Sequence, residues 1–294
     1  GRSGEDGPFP FFLQPPSWSG DGTHLTFAGI GRKGPEKEPI EIFVVGSDGT
    51  GLRRVPGTAE GSGPVFSPDG RTIAFARTKR RARPTGHGGE RETYRSTAVW
   101  LADLATGRTR RLTPLRNGLE IEPTSFTPDG ASLATVRKKR KHSSPEIVIL
   151  DLAGGSSRVL ANNATDAVYS PDGSQVAYLQ LVTNRFHRGK KVGIETSTDL
   201  FAMRSDGTEP RQLTSSRRGA ELWPSWDPSG QRISFTRLRG LQGEESLFGF
   251  GDSILQINAD GTCQSKLLVG DLGTAYYGGA WQPGPGREAG PIAC

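Results

Sequence analysis

The side chains of this 294-residue chain that could do chemistry fall into three sets. Basic residues crowd into three stretches: Arg77, Lys79, Arg80, Arg81 and Arg83; then Arg137, Lys138, Lys139, Arg140 and Lys141; then Arg185, Arg188, Lys190 and Lys191. Such clusters raise a local positive potential that attracts anions. Each stretch also holds one histidine, His87, His142 or His187. Converging imidazoles can ligate a transition metal, but the flanking Arg and Lys repel a cation, so no metal site is expected. The second set is acidic. Glu60, Glu120, Glu122, Asp166 and Glu221 each lie three to six residues before an aromatic that ends a short apolar stretch. Gathered around one opening they could hold a cation or a basic peptide end; dispersed, they would pair with nearby Arg or accept loop N–H bonds. The third set is the two cysteines, Cys263 and Cys294, either two free thiols or one disulfide. No Gly-x-Ser-x-Gly elbow occurs, which argues against a serine hydrolase of the α/β type.

The elements that must position these groups are written as a repeat. An aromatic, a Ser/Thr-Pro-Asp-Gly turn and an apolar strand recur at Phe66-Ser67-Pro68-Asp69-Gly70, Phe126-Thr127-Pro128-Asp129-Gly130 and Tyr169-Ser170-Pro171-Asp172-Gly173. Looser copies stand at Trp18-Ser19-Gly20-Asp21-Gly22 and Trp226-Asp227-Pro228-Ser229-Gly230, with a truncated one at Trp281-Gln282-Pro283-Gly284. Proline presets φ for the first corner, the aspartate accepts backbone N–H groups, and glycine takes the positive φ that closes the turn. These residues are therefore scaffold, and function must lie in what differs between copies. A second apolar strand, an Asp-Gly or related turn and an Arg/Leu-rich segment complete each unit, as in Leu200-Phe201-Ala202-Met203, Asp206-Gly207 and Arg211-Gln212-Leu213-Thr214. Each unit supplies four short strands, and no stretch has a sustained helical period, so the chain is all-β and each unit is one propeller blade.

These phrases resemble the PD40 repeat of TolB-like β-propellers over roughly residues 16–283. The WD40 signature is similar only in part, since Trp226-Asp227 sits at a turn and the histidine motif is missing. The resemblance implies a binding scaffold that makes protein–protein contacts at a cell envelope. Oligogalacturonate lyases are propellers of similar repeats, which makes a lyase or hydrolase acting on an acidic polysaccharide the enzymatic alternative, although no distinctive catalytic motif of that family stands here. Six copies of the first strand predict a six-bladed propeller of four-stranded blades whose last blade is incomplete. The N-terminal segment, residues 1–15, is expected to close it, with residues 9–13 paired in the same blade as residues 279–282. Residues 16–283 then form the propeller and residues 284–294 a tail.

Strand alternation places the three basic stretches, as second-to-third-strand loops, on one face, with the Pro-Asp-Gly turns on the other. Residues 77–97, 137–145 and 183–199 carry net charges of +5, +5 and +2, the last because Glu195 and Asp199 offset two of its four basic residues, whereas the whole chain carries +6, so the remainder is net negative. First strands line a propeller's axis, so the five carboxylates are expected to ring the channel mouth, where a cation is conceivable. Cys263 and Cys294 fall in neighbouring blades, so a disulfide that ties down the tail is expected, and with it an oxidising compartment. No apolar run approaches the ~18–20 residues of a membrane span. The expectation is a non-catalytic, extracytoplasmic scaffold, periplasmic or secreted, without cofactor, whose basic face engages an acidic protein or an anionic polymer. Nucleic acid fits less well, because the basic stretches offer few aromatics for base stacking.

Overall fold

In the computed structural model, the described residues are 9–10, 15–30, 39–84, 91–139, 143–188, 191–216, 219–239, 253–269, 281–282 and 291–293. Among them there are strands and turns but no helix. The strands run from β1 (Phe9–Pro10) to β21 (Ser265–Val269) and group into five antiparallel blades. Blade one comprises β2 (Ser17–Trp18), β3 (His24–Ile30), β4 (Ile40–Gly46) and β5 (Arg53–Arg54). Blade two has β6 (Gly61–Phe66), β7 (Thr72–Pro84), β8 (Arg91–Asp103) and β9 (Thr109–Arg111). Blade three has β10 (Glu120–Phe126), β11 (Ser132–Lys138), β12 (Glu146–Asp151) and β13 (Ser157–Asn162). Blade four has β14 (Ala164–Tyr169), β15 (Gln175–Arg188), β16 (Lys191–Arg204) and β17 (Arg211–Gln212). Blade five has β18 (Gly219–Trp226), β19 (Arg232–Arg239), β20 (Ser253–Asn258) and β21. Consecutive first strands touch, β2 with β6, β6 with β10, β10 with β14 and β14 with β18.

The expected six blades are corrected to five, and the expected closure is corrected with them. The N-terminal β1 pairs with blade one's own β3, Phe9 opposite Ile30 and Pro10 opposite Gly29; of its expected partners, residues 279–280 lie outside the described residues. The reason lies in Pro15 and Pro16. Without an N–H a proline cannot donate to a ladder, so β2 is only Ser17–Trp18, paired with Thr26 and Leu25. The far end of β3 is left open, and β1 fills it. Of the sixth repeat, Trp281 and Gln282 are described, and neither is in a strand. Trp281 lies under the Arg232 guanidinium of blade five, 4.9 Å from the ring centroid, and Gln282 Nε2 donates to Gly22 O of blade one at 3.0 Å. The sixth repeat thus contributes a plug between blades five and one.

The turn chemistry recurs from blade to blade. In blade two Ser67 Oγ donates to Asp69 Oδ1 at 2.6 Å, the same oxygen accepts Arg71 N–H at 3.0 Å, and Thr72 N–H donates back to Ser67 Oγ at 3.0 Å. Gly70 closes the turn with φ of 68°, a conformation that costs a residue with a Cβ. Thr127 with Asp129, Ser170 with Asp172 and Ser19 with Asp21 repeat the pattern. These hydrogen bonds hold the turn carboxyls below the usual range, Asp21 at about 2. The Arg-x-Leu-Thr segments have structural work as well. Thr113 Oγ1 accepts Val99 N–H and Thr214 Oγ1 accepts Leu200 N–H, each at 2.9 Å, while Arg158 reaches into the next blade to donate to Ser205 O at 2.9 Å. Apolar side chains fill the space between consecutive blades. Ile42, Phe66, Phe75 and Ala102 join blades one and two, and Leu179, Leu200, Phe235 and Leu255 join blades four and five.

Candidate functional site: the central channel and the basic hairpins

The first strands surround a cavity of about 680 Å³ on the propeller axis. Its wall includes the closing aromatics Trp18, Phe66, Phe126, Tyr169 and Trp226, joined by Trp281. Prolines of the first turns, Pro68, Pro128, Pro171 and Pro228, also line it, so the cavity belongs to the turn face of the disc. One local device shapes the wall. The pairing of first with second strand shifts register between Ser62 and Val65, between Pro123 and Ser125, between Thr165 and Val168, and between Leu222 and Ser225. Such bulges re-aim a side chain. The residue three before the closing aromatic has positive φ in three blades: Gly63 at 57°, Asp166 at 52° and Trp223 at 53°. Left-handed backbone is natural for glycine, tolerable for aspartate and a genuine outlier for tryptophan. The two non-glycine residues both line the cavity.

The five carboxylates expected at the channel mouth are not brought together. Glu60 is exposed at the bend before β6, and Glu120 and Glu122 are half-buried on β10; none of the three lines the cavity. Glu221 is fully buried and held by Arg237, with Nη2 2.6 Å from Oε1 and Nε donating to the same carboxylate at 3.1 and 3.2 Å. Burial pushes the Glu221 carboxyl up and the Arg237 guanidinium pulls it back. Only Asp166 reaches the channel. It is half-buried, and the Thr165 hydroxyl, 3.0 Å from Oδ2, is its hydrogen-bond partner among the described residues. Burial pushes its carboxyl up and the Thr165 hydrogen bond pulls it back. Among the described residues no cluster of His, Cys, Asp and Glu could hold a metal ion.

The basic stretches stand differently from the expected loops. In blades two and four they continue the second and third strands as long paired hairpins, 13 residues per strand for β7 and β8 and 14 for β15 and β16. Lys79 is exposed opposite Ser96. Arg80 lies opposite Arg95, Arg81 opposite Tyr94 and Arg83 opposite Glu92. Arg185 lies opposite Ile194, His187 opposite Val192 and Arg188 opposite Lys191. Between these hairpins, blade three offers half-buried Lys138 and exposed Lys139, whose Nζ is 3.0 Å from Glu146 Oε1, while Glu146 also binds Arg137 at 2.7 Å. Arg140, Lys141, His142, His87 and Lys190 lie outside the described residues. Cys263 is disulfide-bonded, and Cys294, the chain's other cysteine, lies outside the described residues. Trp223 and Trp281 join the cavity wall without standing among the site residues expected from sequence. The bulge position is occupied by glycine, aspartate or tryptophan, so no residue type marks it.

No family model matches the chain. Its architecture is that of the TolB-like β-propellers. It is similar to the crystal structure of TolB from Acinetobacter baumannii, with TM-score 0.61 and 20% identity over 88% of this chain and 55% of that one. A putative TolB from Agrobacterium tumefaciens gives TM-score 0.62 and 19% identity over 92% of this chain and 86% of that one. An oligogalacturonate lyase from Vibrio parahaemolyticus gives 0.53 and 13% over 90% and 66%. At these identities the likeness is one of fold, and the chain spans little more than half the length of the Acinetobacter protein.

Proposed function

We propose that this chain is a non-catalytic, extracytoplasmic binding scaffold whose basic hairpin face engages an acidic protein surface or an anionic polymer. The observation that carries this reading is the pair of long hairpins, β7–β8 and β15–β16, whose strands extend well beyond the six to eight residues of the second and third strands in the other blades. That extra length carries Arg80, Arg81, Arg83, Arg185, Arg188 and Lys191 on paired backbone. Pairing limits the freedom a bound acidic partner would otherwise have to remove, which favours association. The disulfide at Cys263 supports an oxidising compartment. No helix among the described residues is long and apolar enough to cross a membrane.

Poly-L-glutamate and polygalacturonate serve as probes. Retention on either should weaken steeply with salt, because exposed charges are screened within about 8–10 Å at physiological ionic strength. Reversing Arg80, Arg81, Arg185 and Arg188 to glutamate should abolish retention with little change in the urea unfolding midpoint, because these hairpin ends lie beyond the strand length that the blade cores use. The same reversal at Arg53, Arg54, Arg110 and Arg111, exposed on the outer strands of blades one and two, should leave most of it. Equal losses from both sets would refute a hairpin site. Release of unsaturated products from polygalacturonate would replace the scaffold reading with a lyase.

A further inference from the structure

We propose that the turn-face half of the central channel is a binding site for an alkylammonium group, with Asp166 as counter-ion and the tryptophans around it as walls. This site is on the opposite face from the basic hairpins and does not depend on them. Its size is right, since small-ligand cavities run to about 300–1,000 Å³ and this one is about 680 Å³. The carboxylate of Asp166 sits in a wall built largely of aromatic and proline side chains, with the Thr165 hydroxyl as its one neutral hydrogen-bond donor among the described residues. A half-buried carboxylate with no cationic side chain paired to it among the described residues is costly, and an incoming cation removes that cost.

The scaffold does not require the group. The equivalent bulge position holds Gly63 in blade two and Trp223 in blade five, so an acid there is particular to blade four, as a ligand contact should be. Trp18, Trp223, Trp226 and Trp281 line the same space, and the face of an indole ring attracts an ammonium group, most strongly when it is desolvated. The cavity's own face also favours entry of a cation. Asp21, Asp69, Asp129 and Asp172 stand in the first turns, their carboxyls held low by local hydrogen bonds and therefore ionised at neutral pH. None of the four lines the cavity, but charge on the face through which a cation would enter raises its local concentration.

The chain contains its own reporter, because four of its five tryptophans line the cavity. Choline and its neutral isostere 3,3-dimethyl-1-butanol are titrated while intrinsic fluorescence is read, alongside a blocked Gly-(trimethyl-Lys)-Gly peptide and its norleucine counterpart. The expected result is a saturable change with the two cations and at least about tenfold weaker binding of the neutral partners. Asp166→Asn should weaken both cations by about tenfold or more. Asparagine tolerates left-handed backbone, so its unfolding midpoint should match the parent. Asp166→Gly, which copies blade two, provides a second variant that suits the same φ. Tighter binding of the peptide would make the natural ligand a polypeptide side chain; tighter binding of choline, a small amine. Equal affinity for cation and isostere, undiminished choline binding by both Asp166 variants, or no saturable change with either cation would overturn the proposal.

Discussion

At the residue scale, blade five shows how the repeat tolerates exchange when the hydrogen bonds survive. Its turn reads Trp226-Asp227-Pro228-Ser229-Gly230, with acid and hydroxyl in each other's places. The bond persists in reverse: Ser229 Oγ donates to Asp227 Oδ2 at 2.8 Å, while Asp227 Oδ1 accepts Gln231 and Arg232 N–H at 2.9 and 3.0 Å. The exchange buries the acid, and Arg232 answers it at 3.2 Å while stacking on Trp281. The middle of the second strand follows a similar logic. Arg77, Arg137 and Arg237 occupy corresponding places, each with a different partner. Arg77 lies 4.2 Å from the centroid of the Trp100 ring, Arg137 pairs with Glu146, and Arg237 with the buried Glu221. Removing only the cation at the last site strands a buried carboxylate. Arg237→Ala is expected to destabilise the fold by about 3–5 kcal/mol in urea unfolding, whereas replacing Glu221 and Arg237 together by methionine should cost far less. If the single and double variants lose equally, the cost of Arg237→Ala is not that of a stranded buried carboxylate.

At the element scale, the strands were legible because each is bracketed by a turn whose residues have one conformational purpose. The turn after the closing aromatic, the Asp-Gly turn after the third strand and the Arg-x-Leu-Thr strand all stand where the repeat places them. Two things were not legible. The first-strand bulge depends on backbone conformation at a position whose side chain varies from Gly63 to Asp166 to Trp223. The continuation of β7–β8 and β15–β16 into hairpins was hidden because Arg- and Lys-rich segments read as solvated loops, although their backbone pairs residue by residue as far as Pro84 with Arg91 and Arg188 with Lys191. Contacts between turns of neighbouring blades were equally invisible. Gly20, which stands where every other copy of the turn has proline, has ordinary φ, yet a Cβ there would collide with the Pro68 carbonyl oxygen of blade two. Both atoms belong to backbone in tight turns, so neither can yield cheaply. Gly20→Ala should destabilise by about 1–3 kcal/mol, seen as a lower urea midpoint with an unchanged slope. A midpoint equal to the parent's would show that the two turns can separate.

At the scale of the whole molecule, the distinguishing feature is how the two ends of the chain meet the disc. Six copies of a phrase led the sequence reading to six blades, but the first and last copies are where pairing depends on residues outside the repeat. Pro15 and Pro16 curtail β2, β1 extends blade one, and Trp281 with Gln282 spans blades five and one without joining a sheet. The tail returns to blade five as well. Ile292 N–H donates to Asn258 Oδ1 at 2.7 Å and Asn258 Nδ2 donates to Ile292 O at 3.0 Å, five residues along the chain from the disulfide-bonded Cys263. A cross-link there would hold the tail, and through it Trp281, against the channel. With only two cysteines in the chain, Cys294 is the partner we expect, so the native protein should react with a thiol reagent only after reduction. Replacing both cysteines by serine should lower stability by about 2–5 kcal/mol, the usual loss for a native disulfide. It should also shift tryptophan emission to the red as Trp281 gains water, an effect that a cross-link remote from the channel would not produce. Two titratable thiols in the denatured, unreduced protein would refute the bond. A stability loss without the emission shift would leave the bond in place but separate the tail from the channel wall.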